Sequence, residues 1–159
     1  MSKTARRVAV VLAFLAVIAG LVSGCAPQPS ADTLKGPAKE VASAVRAGSL
    51  AVELRMADST TAAAASTAAD DMLGQVESAT DKLHGFSAPT PEERTVRSNM
   101  LASFSAVSRA LLHARDALNA SSGAPLASAD IRDMLSTVQS ELRAATDQLD
   151  NLMTRAGIQ

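Results

Sequence analysis

This 159-residue chain has no tryptophan, no tyrosine, one cysteine and two histidines, and each scarcity removes a class of chemistry. Without Tyr or Trp, and without a cluster of Lys or Arg, it offers neither a base-stacking platform nor a counterion-releasing footprint. No nucleic-acid partner is expected. A lone cysteine cannot close an internal disulfide, so stability has to come from packing. Cys-x-x-Cys-His, His-Glu-x-x-His, Gly-x-Ser-x-Gly, Ser-x-x-Lys and a Gly-rich phosphate loop are all missing from the sequence. Their absence removes covalent haem, zincin, hydrolase, penicillin-binding and nucleotide readings in turn.

The remaining polar groups are explained without catalysis. His113 falls off the apolar stripe of its segment and His84 sits near a segment end, so both should face solvent. Met56, Met72, Met100, Met134 and Met153 are scattered over core or core-flanking positions, which suits gap-filling rather than a soft copper site. Glu92-Glu93 suits the positive end of a helix, and Asp70-Asp71 a solvated face. The expectation is therefore a protein without catalysis, metal or cofactor. No internal repeat of 20 to 50 residues is present either.

What the chain does have is a distinctive beginning. Lys3, Arg6 and Arg7 form a cationic region, residues 8–22 an apolar run, and Ser23-Gly24 a pair of small residues directly before Cys25. This order describes a secretory signal peptide, and the apolar run falls short of the roughly 20 residues that span a bilayer. Leu21-Val22-Ser23-Gly24-Cys25 resembles the lipobox of bacterial lipoproteins, with Val22 where leucine is commoner. The resemblance covers residues 1–25 only. It implies cleavage between Gly24 and Cys25, a diacylglyceryl group on the Cys25 sulfur and acylation of the new amine by a palmitate-type chain. Arg6-Arg7 lacks most of the flanking pattern of twin-arginine export, so ordinary secretion is the better fit. Cleavage would leave 12 Lys+Arg against 16 Asp+Glu, a net charge of about −4, on an extracytoplasmic chain held at a bacterial membrane.

Residues 26–36 read Ala-Pro-Gln-Pro-Ser-Ala-Asp-Thr-Leu-Lys-Gly, polar and without an apolar period, which suggests a flexible tether. The expected organisation is thus a signal peptide over 1–24, a lipidated tether over 25–36 and a helical domain over 37–157.

Beyond the tether the apolar spacing is helical almost to the end. Ile131, Leu135, Val138, Leu142, Ala145, Leu149 and Leu152 recur at spacings of three and four, with Ser128 placed to cap the start and Gly157 the end. Before them, Thr90-Pro91-Glu92-Glu93 has capping-box order, followed by a stripe of Val96, Met100, Phe104, Val107, Leu111, Ala114 and Leu118. Ser121-Ser122-Gly123 closes that helix, and the short linker 124–127 predicts an antiparallel hairpin. In the first half, Gly36-Pro37 should open a helix with Val41, Val45, Gly48, Val52 and Met56 on its inner face. Lys82, His84 and Gly85 should end another. One continuous helix between them would be about 75 Å long, far beyond its partners, so a break is expected at 57–61. The predicted fold is an all-α, antiparallel four-helix bundle, the alternative being three helices with a long bent first one.

One pattern exceeds what a bundle needs. Ala47, Leu50, Leu54 and Ala57 lie about half a turn from the inner stripe, so the first helix is apolar on two faces. Either the first helix sits centrally or packs under the loop carrying Phe86, or Leu50 and Leu54 form a docking face, and Leu101 and Leu112 repeat the pattern more weakly on the third helix. The function these features suggest is a lipid-anchored binding or scaffolding module, with a protein partner or self-association. The alternative is a carrier or sensor holding a small apolar ligand between helices with small side chains.

Overall fold

The computed structural model describes residues 29–122 and 129–158, with side chains from Thr33 onward. The lipobox, the proposed cleavage site, Ser128 and the linker 124–127 lie outside the described residues. Four helices pack into an antiparallel bundle: α1 (Pro29–Met56), α2 (Ala62–His84), α3 (Pro91–Ala120) and α4 (Ala129–Arg155). No strand occurs among the described residues.

The directions can be read from the pairs that cross between helices. Arg46 meets Asp150 and Glu53 meets Arg143, so α4 descends as α1 rises. Ser66 meets Asn119 and Asp70 meets Arg115, which sets α2 and α3 antiparallel in the same way. Gly48 lies against Leu111 and Arg55 against Ser121, so α1 and α3 run parallel across the diagonal. The helices are 28, 23, 30 and 27 residues long, close enough for all four to share one core.

The break near residues 57–61 is present, although no glycine supplies it. Asp58 takes the left-handed position at φ 55°, where a short polar side chain is tolerated. Its N–H donates to Arg55 O at 3.0 Å and the Ser59 N–H donates to Leu54 O at 2.8 Å, the pair of bonds that closes a Schellman motif. Thr61 then caps α2 by accepting from the Ala64 N–H at 3.1 Å. The capping box of α3 forms as its sequence predicts: Thr90 Oγ1 accepts from the Glu93 N–H and Glu93 Oε2 from the Thr90 N–H, each at 3.1 Å. Gly157, at φ 69°, ends α4 in a second Schellman motif, with Ile158 N–H donating to Met153 O and both side chains buried.

Three expectations need correction. The first helix starts at Pro29 rather than at Gly36-Pro37, so residues 29–36 are helical and only 25–28 of the expected tether lie before it. The reason is the stripe: Leu34 and Ala38 extend Val41 and Val45 back by two turns and are buried with them. Met56, placed on the inner face by its spacing, is 38% exposed because the helix ends there. In α4, Met153 rather than Leu152 takes the buried place at the last turn.

Small residues dominate the interior contributed by α1 and α2, including Ala38, Ala42, Ala44, Ala51, Ala65, Ala69 and Ala79. Most of the larger side chains come from α3 and α4, with Phe104, Met100, Leu111, Leu118, Leu135, Leu142 and Leu149 all fully buried, while Leu34 of α1 and Leu83 of α2 join them. Gly48 belongs to this division of labour: a Cβ there would collide with Leu111 Cδ2, so the missing side chain makes room for the leucine of the diagonal helix.

Candidate functional site

Each helix of a bundle can hide one broad stripe, and α1 has already used that capacity on Val41, Val45, Gly48 and Val52. The second stripe stays in solvent. Leu50 is 53% exposed and Leu54 40%, and Ser43, Ala47 and Ala57 along the same face are exposed as well. Phe86 does not cover these leucines. It packs on the core at the opposite end of the bundle, where its carbonyl accepts from Arg97 Nη1 at 2.8 Å.

The third-helix residues behave differently from one another. Leu101 is half-buried and packs against the core, so it presents no free face. Leu112 is 37% exposed, but it borders an open groove between α2 and α3 with Leu73, Gly74, Glu77 and Arg115. Leu50 borders a separate groove between α1 and α4 with Ser49, Glu53, Arg143 and Thr146. These grooves lie on opposite sides of the molecule. The four leucines singled out by sequence therefore form no single patch, and only Leu50 and Leu54 share a surface.

Charge frames that surface along α4. Arg46 Nη2 donates to both Asp150 carboxylate oxygens at 3.1 Å, while Glu53 Oε1 accepts from Gln139 at 2.9 Å and lies 3.5 Å from Arg143. All these groups are exposed or nearly so, and pairs of this kind contribute little to stability. Their weight lies in fixing where charge stands beside the leucines.

At the end of the bundle next to Leu54, Arg55 is buried with its guanidinium spread over two connections. Nη1 donates to Asp58 Oδ1 at 3.2 Å, Nη2 to the Ser121 carbonyl at 3.3 Å and Nε to Ser121 Oγ at 3.5 Å. Ser121 Oγ in turn donates to Leu118 O at 2.7 Å. A cation at the carbonyl end of α3 is electrostatically well placed. This arrangement binds nothing foreign. It ties the α1–α2 turn to the end of α3.

The titratable residues do not converge on a reaction centre. His84 is exposed, and His113 is exposed with Nδ1 2.8 Å from Glu141 Oε2. Asp116, through a hydrogen bond and its charge, and Asp70 hold the pKa of Arg115 above its ordinary value, which leaves the guanidinium charged as usual. Among the described residues no group of three or more His, Cys, Asp or Glu is placed to hold a metal. Among them, too, no helix is long and apolar enough to cross a membrane.

No protein-family model matches the chain, and no curated protein or solved structure matches it either.

Proposed function

We propose that this chain is a lipid-anchored protein of the bacterial cell envelope that acts, without catalysis, as a helical binding or scaffolding module. The anchor is the acylated Cys25 implied by the lipobox resemblance, and the working surface is the α1 face centred on Leu50 and Leu54. The observation that carries the second half is the exposure of two adjacent leucines on a helix whose inner stripe is already buried. Burying both at an interface would contribute about 3 to 6 kcal/mol, enough to matter once a membrane concentrates the partners. The carrier alternative draws no comparable support, because the grooves beside Leu50, Leu112 and Leu152 are open and bordered by charged or polar side chains.

Two measurements test this. Cys25→Ser should abolish labelling by a fatty-acid probe and processing after Gly24; unchanged labelling and mass would defeat the anchor. A photo-crosslinking residue at position 50 of the membrane-bound chain should give a discrete adduct that Leu54→Gln removes. A chain that gives no adduct at all would defeat the docking face.

A further inference from the structure

The exposed face of α1 runs through positions 43, 47, 50, 54 and 57, separated by steps of four, three, four and three. That is the seam of a two-stranded coiled coil rather than the broader stripe of a bundle helix. Its sizes are uneven, with Leu50 and Leu54 flanked by the small residues Ser43, Ala47 and Ala57. Ser43 is the one polar member. A helical serine hydroxyl can donate to the carbonyl one turn earlier, so covering it need not strand a polar group. The residues beside the seam on the α4 side are Arg46 and Glu53, seven apart and opposite in sign. On the other side stand Ala44 and Ala51, both buried in the bundle core, so that edge of the seam carries no charge of its own.

We infer that this face pairs with the same face of a second copy, α1 against α1 in antiparallel orientation, about a two-fold axis near residues 48 and 49. The inference rests on the docking role proposed above and names its partner. In this register Leu50 of one copy meets Ala47 of the other, and Leu54 meets Ser43. Each of the four layers so formed sets a large side chain against a small one. The same register brings Arg46 beside Glu53 of the second copy, twice by symmetry, as an isologous interface requires. A parallel pairing satisfies neither condition. It sets leucine on leucine and alanine on alanine, and it gives Arg46 and Glu53 no partner of opposite charge in the second copy.

The test uses the full chain in detergent, with Cys25→Ser wherever cysteine chemistry is applied. Light scattering should show a dimer of the protein component, and Leu50→Gln with Leu54→Gln should weaken it by at least a hundredfold. Circular dichroism and the melting of the dilute, dissociated chain should stay unchanged. Arg46→Glu alone and Glu53→Arg alone should each weaken the dimer about tenfold, and the two together should restore it. That restoration distinguishes pairing between copies from pairing within one. Inside the monomer the double exchange sets a carboxylate at position 46 against Asp150 and a guanidinium at position 53 against Arg143, which would make matters worse. For register, Ser43→Cys mixed with Leu54→Cys should form a disulfide-linked dimer that neither variant forms alone. A monomer at all concentrations, a dimer indifferent to the leucine changes, or a disulfide-linked dimer of Ser43→Cys with itself would each overturn the inference. If the chain is monomeric while the crosslinker at position 50 captures a different protein, self-pairing fails and the docking role stands. If position 50 captures nothing, both fail.

Discussion

Gly48 is a residue whose absence of a side chain has a measurable effect. A glycine inside a helix costs about 1 kcal/mol relative to alanine, and here that loss is offset by the space it gives Leu111. Gly48→Ala should recover the propensity but overpack the diagonal contact at about 1 to 3 kcal/mol, for a net loss of roughly 1 kcal/mol in chemical denaturation. In a Leu111→Ala background the sign should reverse. Gly74 faces open space in α2, so Gly74→Ala should instead gain about 0.5 to 1 kcal/mol. An equal response at both glycines would remove the contact with Leu111 from the account. Arg55 makes a complementary case. Arg55→Met keeps the buried stem but leaves the Ser121 carbonyl without its charged donor, an expected loss of about 1 to 3 kcal/mol. Arg55→Lys should not rescue it, because one ammonium cannot reach both Asp58 and Ser121 as the fork does. Full rescue by lysine would mean that charge alone, not the fork, ties the turn to α3.

Helix by helix, the clearest text was where local chemistry and periodicity agree. The capping box at Thr90 to Glu93 involves residues three apart, so its chemistry is written within one turn. Thr90→Ala should cost about 1 kcal/mol, visible as a lower denaturant midpoint with an unchanged slope. The α4 stripe was equally legible, and Leu135, Val138, Leu142, Ala145 and Leu149 are all buried. The start of α1 misled because Gly36-Pro37 imitates a helix opening. Pro37 is buried inside the helix, and the apolar continuity through Leu34 outweighs the hydrogen bond its ring removes. The end of α1 lacked the usual glycine because Asp58 takes its place. At the candidate site, the two apolar faces of α1 could be read from spacing, but which of them meets the bundle depends on the other three helices. Gly48 against Leu111, Arg55 against Ser121, and Arg46 against Asp150 join residues 63, 66 and 104 apart. No window of sequence holds both halves of such pairs, so nothing local announced them.

For the molecule as a whole, α1 and α3 are the diagonal pair in contact, so α1 packs on both helices of the α3–α4 hairpin as well as on α2. The hairpin of α3 and α4 therefore lacks a complete core of its own. Unfolding followed by probes on α1 and on α4 should coincide in one transition, and hydrogen exchange should show no α3–α4 core outlasting α1. Two separated transitions would show the hairpin to be autonomous. The position at which α1 begins has a further consequence, one of reach. Residues 26–28 can span only about 10 Å, and residues 29–36, being helical, advance about 12 Å where an extended strand would cover about 26 Å. A bundle leashed this tightly to a lipid on Cys25 would have almost no slack in which to turn over. Two copies joined antiparallel near residue 48 would hold their Pro29 ends about 60 Å apart and facing opposite ways. With both lipids in one bilayer, such a pair would have to lie on its side. With the lipids in facing bilayers, it would be a strut that sets the gap between them.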